Sequence, residues 1–459
     1  MFKTSFAAAM VALAQAADKK ALIGTNIGGW QVLEPWITPS LFYRFLGKTH
    51  SEGVGMDSYT MCEALGPEEG NKVMRAHWDA WVTEEHIKEL SEKEIEIVRL
   101  PIGDWTLKPY GPYVGCMDGA KDKIKWLLDV CEQYNIKVLL DVHAVKGSQN
   151  GYDNSGIANY TEWKDENNFE HWAHALGEWM GPWGDNEYKY INLDNIDWAV
   201  DTIDGLLDEW STHPAVYAIE PVNEPWWSSD LALLKGYYRR VHKHMKDKAP
   251  HLKFVFHDAF HYDHQTWNNM FDEDEDVSNV IMSTHFYTAW WGKQDGIGSY
   301  CDGYRNSLQE SANLRYPVWL TEWALATDVC AMWLGGFNDN NSSIEYECDW
   351  VDCPHSYIED PEIGVDFDRT AETLGPFGSN KLSTVQKGKC PTDSTHFSAD
   401  DVNTLGQCAT WVMDDILAGQ FMWTFRNELE PRWSYPQSYD AGWIKRTHFP
   451  QDGEQEFLQ

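Results

Sequence analysis

Eight short apolar runs recur along the chain, at 24–30, 95–103, 137–143, 216–222, 253–257, 280–287, 318–323 and 420–425. Runs of this length, bounded by turn signals, read as buried strands. Between several of them lie stretches with apolar residues at helical spacing, at 84–93, 122–134, 196–210 and 231–248. Alternating strands and helices imply a parallel sheet. Eight repeats without a glycine-rich nucleotide fingerprint imply that the sheet closes into a (β/α)8 TIM barrel. Such barrels carry their sites at the C-terminal strand ends, so reactive residues are expected last in each run.

The runs end that way. The second carries Val98-Arg99-Leu100-Pro101, the third Leu140-Asp141-Val142-His143, and the sixth His285-Phe286-Tyr287. The fourth continues Ile219-Glu220-Pro221-Val222-Asn223-Glu224, the seventh closes Leu320-Thr321-Glu322-Trp323, and the eighth holds Trp423. A strand buried on both faces has no reason to finish in an ionisable group unless the group works there. Two carboxylates at facing strand ends are the minimum equipment for cleaving a glycosidic bond. One protonates the leaving oxygen, and the other attacks the sugar or activates water.

Composition narrows the partner. Seventy-two acidic residues stand against 36 basic ones, a formal net charge of -36. That surface repels nucleic acid and anionic membranes and disfavours phosphorylated or uronate substrates, whereas a neutral sugar suits it. Tryptophan is abundant, at 25 residues. Those near strand ends (Trp105, Trp226, Trp227, Trp290, Trp291, Trp323, Trp423) read as platforms for a pyranose face.

Residues 1–16 read as a signal peptide: Lys3, an apolar stretch at 6–13, then Ala14-Gln15-Ala16. The remainder, 17–459, reads as one soluble, exported catalytic domain, expected to be a monomer. Export permits disulfides, and nine cysteines give a partial framework with at least one left over. Cys330, Cys348, Cys353 and Cys390 are expected to staple their region locally, with the pairing open. A long insertion, 331–399, separates the seventh and eighth strands. It reads either as an excursion over the active-site face or as a surface insertion. His257, His261 and His264 around Asp258 match no standard metal spacing, and the two-carboxylate chemistry needs neither metal nor cofactor.

Several stretches are more specific. They are Gly24-Thr25-Asn26-Ile27-Gly28-Gly29-Trp30, Leu33-Glu34-Pro35-Trp36-Ile37-Thr38-Pro39-Ser40-Leu41-Phe42, Gly147-Ser148-Gln149-Asn150-Gly151-Tyr152-Asp153-Asn154-Ser155-Gly156 and Thr321-Glu322-Trp323-Ala324-Leu325. Together with the strand-end residues they resemble the exo-β-1,3-glucanases of glycoside hydrolase family 5, retaining enzymes of the (β/α)8 clan. The resemblance runs from about Leu22 to Trp433, interrupted by the insertion. It implies Glu224 as general acid/base and Glu322 as nucleophile. It also implies that Arg99 and Tyr287 support the Glu322 carboxylate, and that Asn223 binds the sugar 2-hydroxyl. His143 and Asn154 would hold other hydroxyls, and His285 would lie near the acid/base. Trp423 would floor the subsite of the cleaved sugar, and Glu34 would grip the non-reducing end. Tyr152 and Trp290 would clamp the next sugar, at positions where relatives commonly carry Phe. The implied activity is removal of glucose from the non-reducing end of β-1,3-glucans. An endo-acting glucanase, a transglycosylase and an inactive glucan-binding wall protein remain as alternatives.

Overall fold

The computed structural model describes residues 21–445 apart from 160, 167, 172–176, 185–186, 274, 335–347, 369–388 and 395–396. The expected signal peptide lies outside the described residues. Eight strands form the barrel: β1 (Leu22–Asn26), β2 (Ile97–Gly103), β3 (Lys137–Ala144), β4 (Val216–Glu220), β5 (Lys253–His257), β6 (Val280–Phe286), β7 (Val318–Trp323) and β8 (Gly419–Met422). All neighbours pair in parallel, and β1 pairs with both β8 and β2, which closes the sheet. The first strand stops four residues before its expected end because the chain turns at Gly28-Gly29, where Gly29 takes φ +68°. The fourth stops at Glu220 because Pro221 has no N–H to extend the ladder.

The barrel interior is layered by strand alternation. Ile97, Leu139, Ala218, Val255, Ile281, Trp319 and Phe421 form one apolar plug, a residue from each of seven strands. Gly24 completes the packing, since a Cβ there would lie 2.3 Å from the Phe421 ring. Residues two further along face the same way. They are Arg99, Asp141, Glu220, His257, Ser283 and Thr321, all fully buried. An apolar floor thus carries a polar layer directly above it, and that layer is the base of the site.

The helices cover the outside: α1 (Ser58–Trp81), α2 (Glu84–Glu92), α3 (Ala120–Gln133), α4 (Leu193–Trp210), α5 (Leu231–Lys248), α6 (Ile297–Leu308) and α7 (Ala399–Ile416). In α4, Ile196, Ala199, Val200, Ile203, Leu206, Leu207 and Trp210 make one buried stripe. Each large aliphatic on it contributes about 2 kcal/mol by leaving water. The sequence pattern did not reveal α1, whose periodicity is interrupted by Gly66 (φ 71°) and Pro67. Asp57 caps its start, accepting from the Thr60 N–H at 2.7 Å.

Disulfides join Cys62–Cys116, Cys301–Cys408, Cys330–Cys348 and Cys353–Cys390, leaving Cys131 free and buried. The last two staple the insertion as expected. Its described part holds an antiparallel strand pair, Cys348–Asp352 with Lys389–Ser394. That part packs on the chain after β1 and on α1. Arg44 donates to the Ile363 carbonyl at 2.8 Å, Phe367 meets the Tyr43 ring at 5.2 Å, and the Tyr357 hydroxyl pairs with His77. Among the described residues no helix is long and apolar enough to cross a membrane.

Candidate active site

Arg99 is the hub of the polar layer. Its Nε donates to Glu220 at 2.8 Å and its Nη1 to Glu322 at 2.7 Å, while Nη2 lies 3.0 Å from Asp141. Nη1 also reaches Asn26 Oδ1 at 3.1 Å, and Nη2 reaches Asn223 Oδ1 at 2.7 Å. Burial opposes a charge here, but Asp141, Glu220 and Glu322 hold the guanidinium well above its ordinary range. The same burial lifts Asp141 and Glu220 to about 7 against the pull of Arg99. Glu322 is likewise pushed well above the usual carboxylate range by burial, while Arg99 and the Tyr287 hydroxyl pull it down. Arg99 was expected to serve Glu322; it serves three acids at once. Asp141 and Glu220 are the residues sequence reasoning left out. Their signal was strand alternation, since each lies two residues beyond a plug residue on its own strand.

The two carboxylates singled out above stand together. Glu224 follows β4 in a left-handed backbone conformation, φ 40°, which costs a non-glycine residue about 1 kcal/mol or more. The turn is braced by the Asn223 N–H to the Val142 carbonyl (3.1 Å). Gln149 adds a second brace, its Nε2 donating to the carbonyls of His143 and Asn223 at 2.8 Å each. Gln149 is a third residue beside the candidate site that the sequence did not expose. Glu224 Oε2 accepts from Asn154 Nδ2 at 3.1 Å, and Oε1 pairs with His285 Nδ1 at 2.7 Å. The same His285 nitrogen lies 3.4 Å from Glu322 Oε2, which also accepts from the Tyr287 hydroxyl at 2.7 Å. One nitrogen therefore spans both acids, and their facing oxygens are no further apart than about 6.1 Å, the two distances end to end.

His143 pairs through Nδ1 with Asp141 (2.6 Å) and through Nε2 with the Asn223 amide (3.3 Å). Burial, then Arg99, hold its imidazole well below its usual pKa, so it is neutral. Its ring stacks on Trp423 at 5.3 Å. Glu34 is buried, with Oε2 accepting from Trp36 Nε1 at 3.0 Å and Oε1 left without a partner. Its carboxyl is raised well above the usual range by burial first and by Asp153 next.

A cavity of about 410 Å³ opens beside Glu224, lined by Asn150, Tyr152, Trp226, Trp227, Phe260 and His261. Tyr152 faces it together with Trp226, whose ring is 6.0 Å away. Trp290 belongs to a different group, packed on Tyr287 (5.4 Å) and Trp433 (6.1 Å). Trp227, Trp290 and Trp291 are exposed. Trp105 and Trp323 are core instead: both are buried, and Trp105 stacks on Tyr113 at 4.0 Å.

Residues 62–358 match the profile of the family described as Cellulase (glycosyl hydrolase family 5). A glucan 1,3-beta-glucosidase of Blumeria graminis is 27% identical over 434 residues, 92% of this chain and 86% of that one. A glucan 1,3-beta-glucosidase of Yarrowia lipolytica is 31% identical over 323 residues, 68% of this chain and 69% of the relative. Among solved structures, a rutinosidase from Aspergillus niger superposes with a TM-score of 0.63 at 16% identity, covering 93% of this chain and 98% of that one. That likeness speaks for the fold.

Proposed function

Because the chain belongs to glycosyl hydrolase family 5, we propose that it is a secreted, retaining glycosidase that removes glucose from the non-reducing end of β-1,3-glucans. Glu322 attacks the anomeric carbon while the Glu224 proton passes to the departing glycosidic oxygen; that C–O bond breaks and a glucosyl ester forms on Glu322. Glu224, now a carboxylate, takes a proton from water, whose oxygen attacks the same carbon and returns Glu322 as a carboxylate. Two inversions restore the β configuration. Arg99 and the Tyr287 hydroxyl hold the leaving carboxylate of the second step. Trp423 and the His143–Asn223 pair offer a stacking face and a spare amide N–H to the sugar.

The observation that carries the reading is the spacing. One His285 nitrogen within 2.7 Å of Glu224 and 3.4 Å of Glu322 holds an oxygen of each acid close to the other, which supports the nearer carboxyl pairing of retaining enzymes. The glucan linkage is supported by the glucan 1,3-beta-glucosidases among the relatives. Exo action is supported by Glu34, a buried acid with an unmatched oxygen within the electrostatic reach of Glu224. Export is supported by the four disulfides. The test uses laminarin with proton NMR of the first product. β-Glucose appearing first, and its loss in Glu322→Gln, is the expected result; α-glucose first, a ladder of oligosaccharides, or an active Glu322→Gln overturns the corresponding element.

A further inference from the structure

His257 stands in the same inward layer as Arg99, Asp141 and Glu220 but takes no part in the reaction above. Its ring is fully buried at the end of β5. Its Nδ1 accepts a hydrogen bond from the Ala259 N–H at 3.0 Å, so the lone pair is on Nδ1 and a neutral ring carries its proton on Nε2. That Nε2 is a buried donor with no partner among the described residues.

Beside it lies a matching vacancy. The His257 and His285 rings meet edge to face, with centroids 4.4 Å apart at 80°. His285 Nδ1 faces Glu224 and Glu322, while its Nε2 is also buried without a partner. One ligand-type atom from each of Glu224, His257 and His285 falls within 4.8 Å of the others. If His285 donates through Nδ1, its Nε2 is an acceptor, and the orphan donor of His257 is its complement across one water, since neither atom has a direct partner among the described residues. Two orphans of the same kind would each cost about 1–3 kcal/mol, whereas a donor facing an acceptor removes both penalties. A cation in this corner fits less well, because His257 bound through Nε2 while accepting at Nδ1 would have to lose its remaining proton.

We propose that His257 is a positioning residue: through one bridging water its Nε2–H fixes His285 in the tautomer that donates from Nδ1 to Glu224, and so favours the carboxylate form of Glu224 in which it acts as base. The groups facing the pair are Arg99 on β2, His143 on β3, Glu224 after β4, Glu322 on β7, and Tyr238 on α5, whose hydroxyl donates to the His257 carbonyl. Asp258 does not compete for Nδ1. It lies 3.4 Å from that atom, and its oxygens already accept from the Phe260 N–H (2.9 Å) and the Thr284 hydroxyl (2.8 Å). Burial holds both imidazoles well below their usual pKa, so tautomer rather than charge is what His257 controls.

The inference rests on Glu224 being the acid/base, and its test is separable from that reading. His257→Phe keeps the ring shape and removes the N–H; His257→Gln returns a donor at similar reach. In His257→Phe, His285 is free to carry its proton on Nε2 and to accept from a protonated Glu224. The alkaline limb of kcat/KM then moves up by about half a pH unit or more. The kcat for a dinitrophenyl β-glucoside, where the base-assisted second step limits, falls severalfold, and His257→Gln restores both towards wild type. An unmoved limb in His257→Phe, or equal shifts in both variants, overturns the proposal while leaving the family mechanism intact. An active Glu322→Gln overturns that mechanism instead. Should His257→Phe fail to fold, the wild-type protein labelled with nitrogen-15 histidine decides: protons on His257 Nε2 and His285 Nδ1 are expected, and a His285 proton on Nε2 at neutral pH refutes it.

Discussion

At the scale of single residues, the site is organised around one buried cation facing more than one buried anion. Arg99, Asp141 and Glu220 are each fully buried, and Glu322 nearly so. Removing one partner from such a cluster leaves charge stranded in low dielectric, which costs about 3–5 kcal/mol. Arg99→Gln is therefore expected to lower stability by at least about 3 kcal/mol near pH 8, where the three acids must ionise without it. Near pH 5 the loss should be smaller, because Asp141 and Glu220, already lifted to about 7, rise further and keep their protons. Urea unfolding at the two pH values checks this, and an equal loss at both would show that charge is not what the cluster stores. Arg99, Glu224 and Glu322 were legible in the sequence because each closes or interrupts an apolar run. Asp141, Glu220 and His257 were not, although they lie in the same strands. Their meaning depends on which face of the pleat turns inward, and only the plug residues beneath them reveal that.

At the scale of elements, the eight barrel strands were readable because a strand buried on both faces writes itself as a continuous apolar run. The elements that escaped are those whose residues have less uniform surroundings. Helix α1 is broken by Gly66 and Pro67, and the strand pairs Thr161–Asp165 with Asn168–His171 and Cys348–Asp352 with Lys389–Ser394 carry mixed, polar residues. Disulfides reinforce segments outside the barrel strands. Cys62–Cys116 ties α1 to the segment after β2 across 54 positions, and Cys330–Cys348 closes a loop of 18. The chain-entropy argument gives about 4 kcal/mol for the longer loop and about 3 for the shorter. Replacing Cys62 and Cys116 by Ala should accordingly lower the unfolding free energy more than replacing Cys330 and Cys348, as measured by urea unfolding under oxidising conditions. The reverse order would mean that the insertion's staple does more than shorten a loop, for instance by holding the Tyr43 and His77 contacts in place.

At the scale of the whole molecule, acid enrichment and burial act on stability through protons. Asp104, Asp141, Glu220 and Asp258 are all at most 1% exposed, and burial lifts each of them to about 7. An acid raised in the folded state binds more protons there than in the unfolded chain. Its contribution is complete below about pH 4 and is lost as pH climbs through about 7. The buried histidines work the other way: His77, lowered to about 4 by burial, favours the folded state as pH rises from about 4 to 6.5 and adds nothing beyond. The two effects oppose each other in the acidic range and separate above it. Melting temperature should therefore fall between about pH 6.5 and pH 8, by roughly 5 °C or more. The formal net charge of -36 adds a repulsion of the same sign at the surface, but salt distinguishes the two. A Debye length of about 8 Å at physiological ionic strength shortens further on adding salt, screening exposed charges and leaving buried ones untouched. The fall should persist at about 0.5 M salt; if added salt abolishes it, the surface rather than the buried layer sets the pH response.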